Sequence, residues 1–81
     1  MTNVVGLDSN ILSYALDSAF PEHKETSSIL ENLSLKEQIA VNSTVIYETY
    51  HTLVRKQKWL KEDAAERLTL LMRQKDIIFL N

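Results

Sequence analysis

The sequence contains no cysteine, a single glycine, a single proline and no long apolar run. The absence of cysteine excludes a disulfide framework and a thiolate metal site, and it is typical of a reducing compartment. With so little glycine and proline, the chain is expected to consist mostly of regular elements. No segment approaches the about 20 apolar residues of a membrane span, and the N-terminus has no signal-peptide pattern, so we expect a cytoplasmic protein without a membrane partner.

A surplus of positive charge is also lacking. The 9 Lys and Arg residues are outnumbered by 11 Asp and Glu residues, which gives a net charge of −2. There is therefore no global basic field to hold nucleic acid. Residues 1–81 make one small domain. A chain of this length buries only about 60–65% of its unfolded surface, so it is marginally stable without help.

The rest of the chain is organised around Val-Val-Gly-Leu at residues 4–7 and the acid that follows, Asp8. A run that is apolar at every position predicts a strand buried on both faces, as in parallel sheets. Asp8 then falls at the carboxyl end of the strand, where ligands bind in open α/β sheets. Ser9 is the candidate N-cap of a first helix that continues to about Asp17.

Helices and strands alternate along the remaining chain. Helical spacing and capping residues predict three further helices. The second has Pro21 in its first turn and ends near Ser34. The third covers about 45–58 and is capped within 42–44, and the fourth begins at about 62–63. Apolar runs predict strands over 38–42 and 77–80, with a short connection over 35–37. This order indicates parallel strands joined by helical crossovers. We therefore predict an α/β fold with a short parallel sheet in which the second strand lies between the first and the third.

Two carboxylates have the positions of a metal site. Asp8 ends the first strand, and Glu48 lies near the start of the helix after the second strand. If those strands are neighbours, both acids face one crevice, where with Asn10 they offer the oxygen ligands that Mg²⁺ or Mn²⁺ prefers. Such an ion activates water for phosphodiester cleavage. The alternatives are a turn-forming acid at position 8 and a solvated helix acid at position 48.

Two further patterns have weaker functional interpretations. Glu48 and His51 lie three residues apart, which suits two zinc ligands without a third, and surface packing is the alternative for His51. Trp59 is surrounded by a local group of cations, namely Arg55, Lys56, Lys58 and Lys61. This group suits an RNA backbone with Trp59 stacked on a base. A solvated helix end with favourable dipole charges is the alternative.

The sequence resembles the PIN domain family and, within it, the VapC-type toxin ribonucleases. The matching stretches are Leu-Asp-Ser-Asn-Ile-Leu-Ser-Tyr-Ala-Leu-Asp (7–17), Pro-Glu-His-Lys (21–24) and Val-Asn-Ser-Thr-Val-Ile-Tyr-Glu-Thr-Tyr-His-Thr-Leu-Val-Arg-Lys (41–56). The resemblance implies a three-layer α/β fold and Mg²⁺- or Mn²⁺-dependent hydrolysis of RNA in a toxin–antitoxin system. It also implies that Asp8 and Glu48 are the catalytic metal ligands, and that Ser9 and Asn10 support them.

The chain departs from the family pattern after its third strand. The family there carries a third and often a fourth acid, in a sheet of order 3-2-1-4-5. Asp63 and Asp76 instead fit a helix start and a loop. We therefore expect strand order 3-2-1 in a domain that lacks its C-terminal third to half, acting as a weak ribonuclease or as a non-catalytic interaction or dimerisation module. The expected partners are RNA, an antitoxin near the first helical hairpin, and a second copy or a complementing C-terminal fragment.

Overall fold

A computed structural model of the chain describes residues 4–34 and 37–80. The elements are β1 (Val4–Gly6), α1 (Ser9–Leu16), α2 (His23–Ser34), β2 (Gln38–Asn42), α3 (Ser43–His51), α4 (Lys61–Met72) and β3 (Ile77–Leu80). A π-helical segment, Thr52–Lys56, follows α3 directly. The predicted alternation of helices and strands is therefore confirmed, while most of the predicted connection over 35–37 lies outside the described residues.

The strands form one sheet in the order β1-β2-β3, and both neighbouring pairs are parallel. In the register of the sheet, Ile39 of β2 lies between Val5 of β1 and Ile77 of β3. The predicted parallel sheet with a central second strand is thus confirmed. Because all three strands are parallel, the carboxyl ends of β1 and β2 lie next to each other at one end of the sheet.

The core lies where the helices pack against the central strand. Ile39 and Val41, which alternation places on one face of β2, form a buried cluster with Leu12, Val45, Leu68 and Leu71. Half-buried Leu30 packs against that cluster, so every described α-helix contributes to it. Among the described residues, no helix has the length and apolar character that crossing a bilayer requires.

The prediction that β1 is buried on both faces is wrong. The Val4 residue is 55% exposed, Gly6 is exposed and Val5 is half-buried. The physical reason is that β1 lies at the edge of the described sheet and pairs with β2 only. An apolar run alone does not distinguish a central strand from an edge strand.

Three predicted helix boundaries also differ. Asp8, and not Ser9, is the N-cap of α1, because its extended backbone lets Oδ1 accept a hydrogen bond from the Ile11 amide at 2.8 Å. Pro21 precedes α2, which begins at His23. The α-helical geometry of α3 ends at His51, since the chain there widens into the π-helical segment.

The C-terminal end of α1 is tied to the chain beyond the π-helical segment by a buried carboxylate. Asp17 is only 7% exposed, and its Oδ1 accepts a hydrogen bond from the Ala19 amide at 2.9 Å. Its Oδ2 accepts hydrogen bonds from Gln57 Nε2 at 3.1 Å and from Trp59 Nε1 at 2.9 Å. Burial by itself raises the pKa of Asp17, but these hydrogen bonds and the nearby His23 outweigh it and hold that pKa below its usual value.

The Asp17 carboxylate should therefore make stability depend on pH. Because its folded-state pKa is lowered, its stabilisation is complete above about pH 4 and is lost as the pH falls through the folded-state value. In Asp17→Asn the amide NH₂ faces a donor whichever way it is turned, so we expect a loss of about 1.5–3 kcal/mol in the free energy of unfolding at neutral pH.

Urea denaturation at neutral pH and at about pH 3 tests this, because the difference in the free energy of unfolding between wild type and Asp17→Asn should be smaller in acid. Trp59→Phe, which removes one of the three donors, is the matched control and should lose less. An equal difference at both pH values would contradict the role of the Asp17 charge.

Candidate functional site

A polar cleft opens beside the carboxyl ends of β1 and β2. Its volume is about 420 Å³. The start of α1 provides one wall, and α3 with the π-helical segment provides the other. The lining residues are mostly polar or charged, namely Ser9, Asn10, Tyr47, Glu48, His51, Thr52, Arg55 and Lys56.

Three of the four predicted site residues lie together in this cleft. Ser9 and Asn10 enter from the first turn of α1, and Glu48 enters from α3. Asp8 directly precedes them, but its side chain is not part of the lining, and one of its oxygens caps α1. Asp8 and Glu48 are both exposed. Their convergence on one ion stays a prediction.

The predicted RNA-binding cations divide into two groups. Arg55 and Lys56 line the cleft. Lys58 is exposed but lies outside the lining, at a turn where its φ is 62°. Trp59 is half-buried and donates its indole N–H to Asp17, so its ring has an internal contact, and its stacking on a base stays a prediction.

The π-helical segment determines which side chains reach the cleft. Its amide–carbonyl bond from Gln57 to Thr52 spans five residues and measures 3.1 Å, which widens the turn relative to an α-helix. In a continuous α-helix, Lys56 would lie about 80° around the axis from Glu48. The wider turn reduces that angle and brings Lys56 to the side of Glu48. Such segments are frequent at functional sites.

The His51 ring makes edge-to-face contacts with two tyrosine rings of α3. The His51 ring centroid lies 4.3 Å from that of Tyr47 and 5.5 Å from that of Tyr50, both in T-shaped contacts. The described residues include no group of three or more His, Cys, Asp and Glu side chains placed to hold a metal. The surface-packing interpretation of His51 therefore fits better than the zinc interpretation.

Tyr47 is a cleft residue that the sequence reasoning missed. An aromatic residue within a helix is normally interpreted as core, yet Tyr47 is 65% exposed. The signal in the sequence was its helical spacing: Tyr47, His51 and Arg55 are four residues apart and share one side of the chain.

The donor chemistry of the cleft, taken together with the neighbouring Asp8, fits a weakly held divalent ion. Glu48 and Asp8 supply carboxylate oxygens and Asn10 an amide oxygen, and Mg²⁺ is commonly held by one or two carboxylates together with substrate phosphates. A closed protein cage does not fit, because the described part of the chain contains no group of three or more His, Cys, Asp or Glu side chains placed to hold an ion.

Comparison with protein families supplies the remaining observation. The PIN domain family model matches residues 5–80, which span β1 to β3 and include every residue of the cleft. A search of curated proteins finds no matching relative. The match extends over nearly all of the 81 residues, and the mixed α/β structure with its parallel sheet agrees with it. The chain belongs to the PIN domain family.

Proposed function

We propose that this PIN domain is a Mg²⁺- or Mn²⁺-dependent ribonuclease of the VapC toxin type, with low activity when the chain is alone. Membership of the PIN family indicates a nuclease-type function in general. The observation that carries the proposal is that Asn10 and Glu48 share one cleft with two cations, Arg55 and Lys56. Acid, amide and cation in one cleft suit the cleavage of a phosphodiester.

Asp8 and five side chains of the cleft have distinct tasks in this proposal. A bound ion would supply an activated water and stabilise the leaving oxygen. Asp8 and Glu48 hold that ion, and Asn10 orients Asp8 or a bound water, while Ser9 supports the same turn. Arg55 and Lys56 attract the RNA phosphates. Activity is low because a two-metal clamp needs more anionic ligands than these two carboxylates.

Substitution of each acid tests the assignment. Asp8→Asn is the sharpest variant, because asparagine caps a helix as well as aspartate does but carries no charge. We expect wild-type protein to cleave single-stranded RNA slowly in Mn²⁺, and Asp8→Asn and Glu48→Gln each to reduce the rate by roughly tenfold or more. The measurement is the cleavage rate of a labelled oligonucleotide.

Glu66→Gln is the matched control, since Glu66 is an exposed acid on α4 outside the cleft and its loss should leave the rate unchanged. Cleavage that survives both Asp8→Asn and Glu48→Gln would contradict the proposed site.

The second candidate function is that of an interaction or dimerisation module without catalysis. One observation favours it: the described sheet exposes apolar side chains at both of its edges, with Val4 on β1 and Phe79 and Leu80 on β3. An exposed apolar edge strand with unpaired backbone groups attracts another chain. We therefore propose a second copy or a complementing C-terminal fragment at β1. For an antitoxin we propose the hairpin between α1 and α2, where Tyr14 and Phe20 make a T-shaped contact with ring centroids 5.0 Å apart.

Sedimentation at low micromolar concentration tests the association at β1. We expect the wild-type chain to sediment as a dimer or larger species and Val4→Lys to shift it towards the monomer, because a lysine on an edge strand opposes pairing. Ile29→Lys is the control, since Ile29 is similarly exposed but lies on α2. A compact wild-type monomer with a cooperative thermal transition would contradict this association.

A further inference from the structure

Tyr47 holds an unusual position on the surface. It lines the polar cleft with Glu48 and His51, and it also lines a separate, largely apolar groove with Ile46 and Leu68. Its ring therefore stands on the ridge between the two depressions. At 65% exposed, it contributes little to the core.

The contact with His51 restrains the Tyr47 ring and leaves it available. The two ring planes meet at 67° with centroids 4.3 Å apart. In a T-shaped pair, either the edge of Tyr47 meets the His51 ring or one face of Tyr47 receives the His51 edge. The contact with His51 therefore uses at most one face of the Tyr47 ring, and the residue is 65% exposed.

Positive charge lies farther along the same wall. Arg55 is eight residues after Tyr47, within the π-helical segment that continues α3. Arg55 and Lys56 are both exposed and both line the cleft. An aromatic ring followed by cations along one groove is the arrangement that binds single-stranded nucleic acid, in which bases stack on the ring and phosphates contact the cations.

We propose that Tyr47 is the stacking platform for an unpaired base of single-stranded RNA whose backbone phosphates contact Arg55 and Lys56. This inference rests on the proposed ribonuclease function and deepens it, because it assigns the binding of an unpaired base to Tyr47. Bases within a duplex are stacked on each other, so they offer no free face to the ring. Stacking of this kind tolerates any base sequence.

Binding measured without cleavage tests the role of Tyr47. The probe is a fluorescein-labelled single-stranded RNA oligonucleotide, followed by fluorescence anisotropy in EDTA at low salt. Tyr47→Ala should weaken binding by roughly 5- to 150-fold, which corresponds to the loss of one stacked base. Tyr47→Phe keeps the ring and should bind like wild type. Ile29→Ala is the control for loss of an exposed apolar side chain elsewhere.

A second probe separates stacking from a general loss of charge or fold. The same strand annealed to its complement should bind more weakly than the single strand, and equally well to wild type and Tyr47→Ala. The proposal is overturned if Tyr47→Ala binds the single strand like wild type, if Tyr47→Phe loses as much as Tyr47→Ala, or if wild type does not bind the single strand.

These outcomes are distinct from those that test catalysis. Tyr47-dependent binding without any cleavage would retain the stacking platform and remove the ribonuclease function. Cleavage that depends on Asp8, together with Tyr47→Ala binding like wild type, would retain the ribonuclease and overturn the stacking platform.

Discussion

The parallel pairing of β1 with β2 is the constraint on which the rest of the structure depends. The carboxyl ends of both strands lie at the same end of the sheet, and each strand is followed closely by a helix whose N-cap is an Asp or Asn side chain. The Ile11 amide donates to Asp8 and the Val45 amide donates to Asn42, both at 2.8 Å. These two short turns leave no room for an intervening loop. They place the start of α1 and the length of α3 on opposite walls of one cleft.

Asp8 has two tasks in this account, and its chemistry allows both. The cap uses Oδ1, while an ionised carboxylate has about four lone-pair sites for acceptance or coordination. A cap that leaves one oxygen of the carboxylate uncommitted is therefore compatible with a metal ligand at the same position, and the cap fixes the direction from which that ligand approaches.

Much of the fold could be predicted from the sequence, because apolar runs separated by amphipathic helices specify parallel strands with crossovers. The burial of β1 could not, since an apolar run carries no information on the number of its neighbours. The π-helical segment was not predicted either, because helical periodicity is judged against 3.6 residues per turn. Asp17 and Tyr47 were missed for a related reason. The contacts of Asp17 depend on Gln57 and Trp59, which are distant in the sequence. The helical spacing of Tyr47 with His51 and Arg55 indicates a shared side of the chain, but not that this side lines a cleft.

The proposed function requires that the carboxylates of Asp8 and Glu48 hold one divalent ion beside Asn10. Paramagnetic broadening by substoichiometric Mn²⁺, observed in the amide spectrum of ¹⁵N-labelled protein, tests this requirement. We expect the signals of Ser9, Asn10 and Glu48 to broaden together in the wild type. In Asp8→Asn, the same three signals should all broaden less at the same Mn²⁺ concentration. Broadening at Glu48 without Asn10, or broadening that persists unchanged in Asp8→Asn, would contradict a shared metal site.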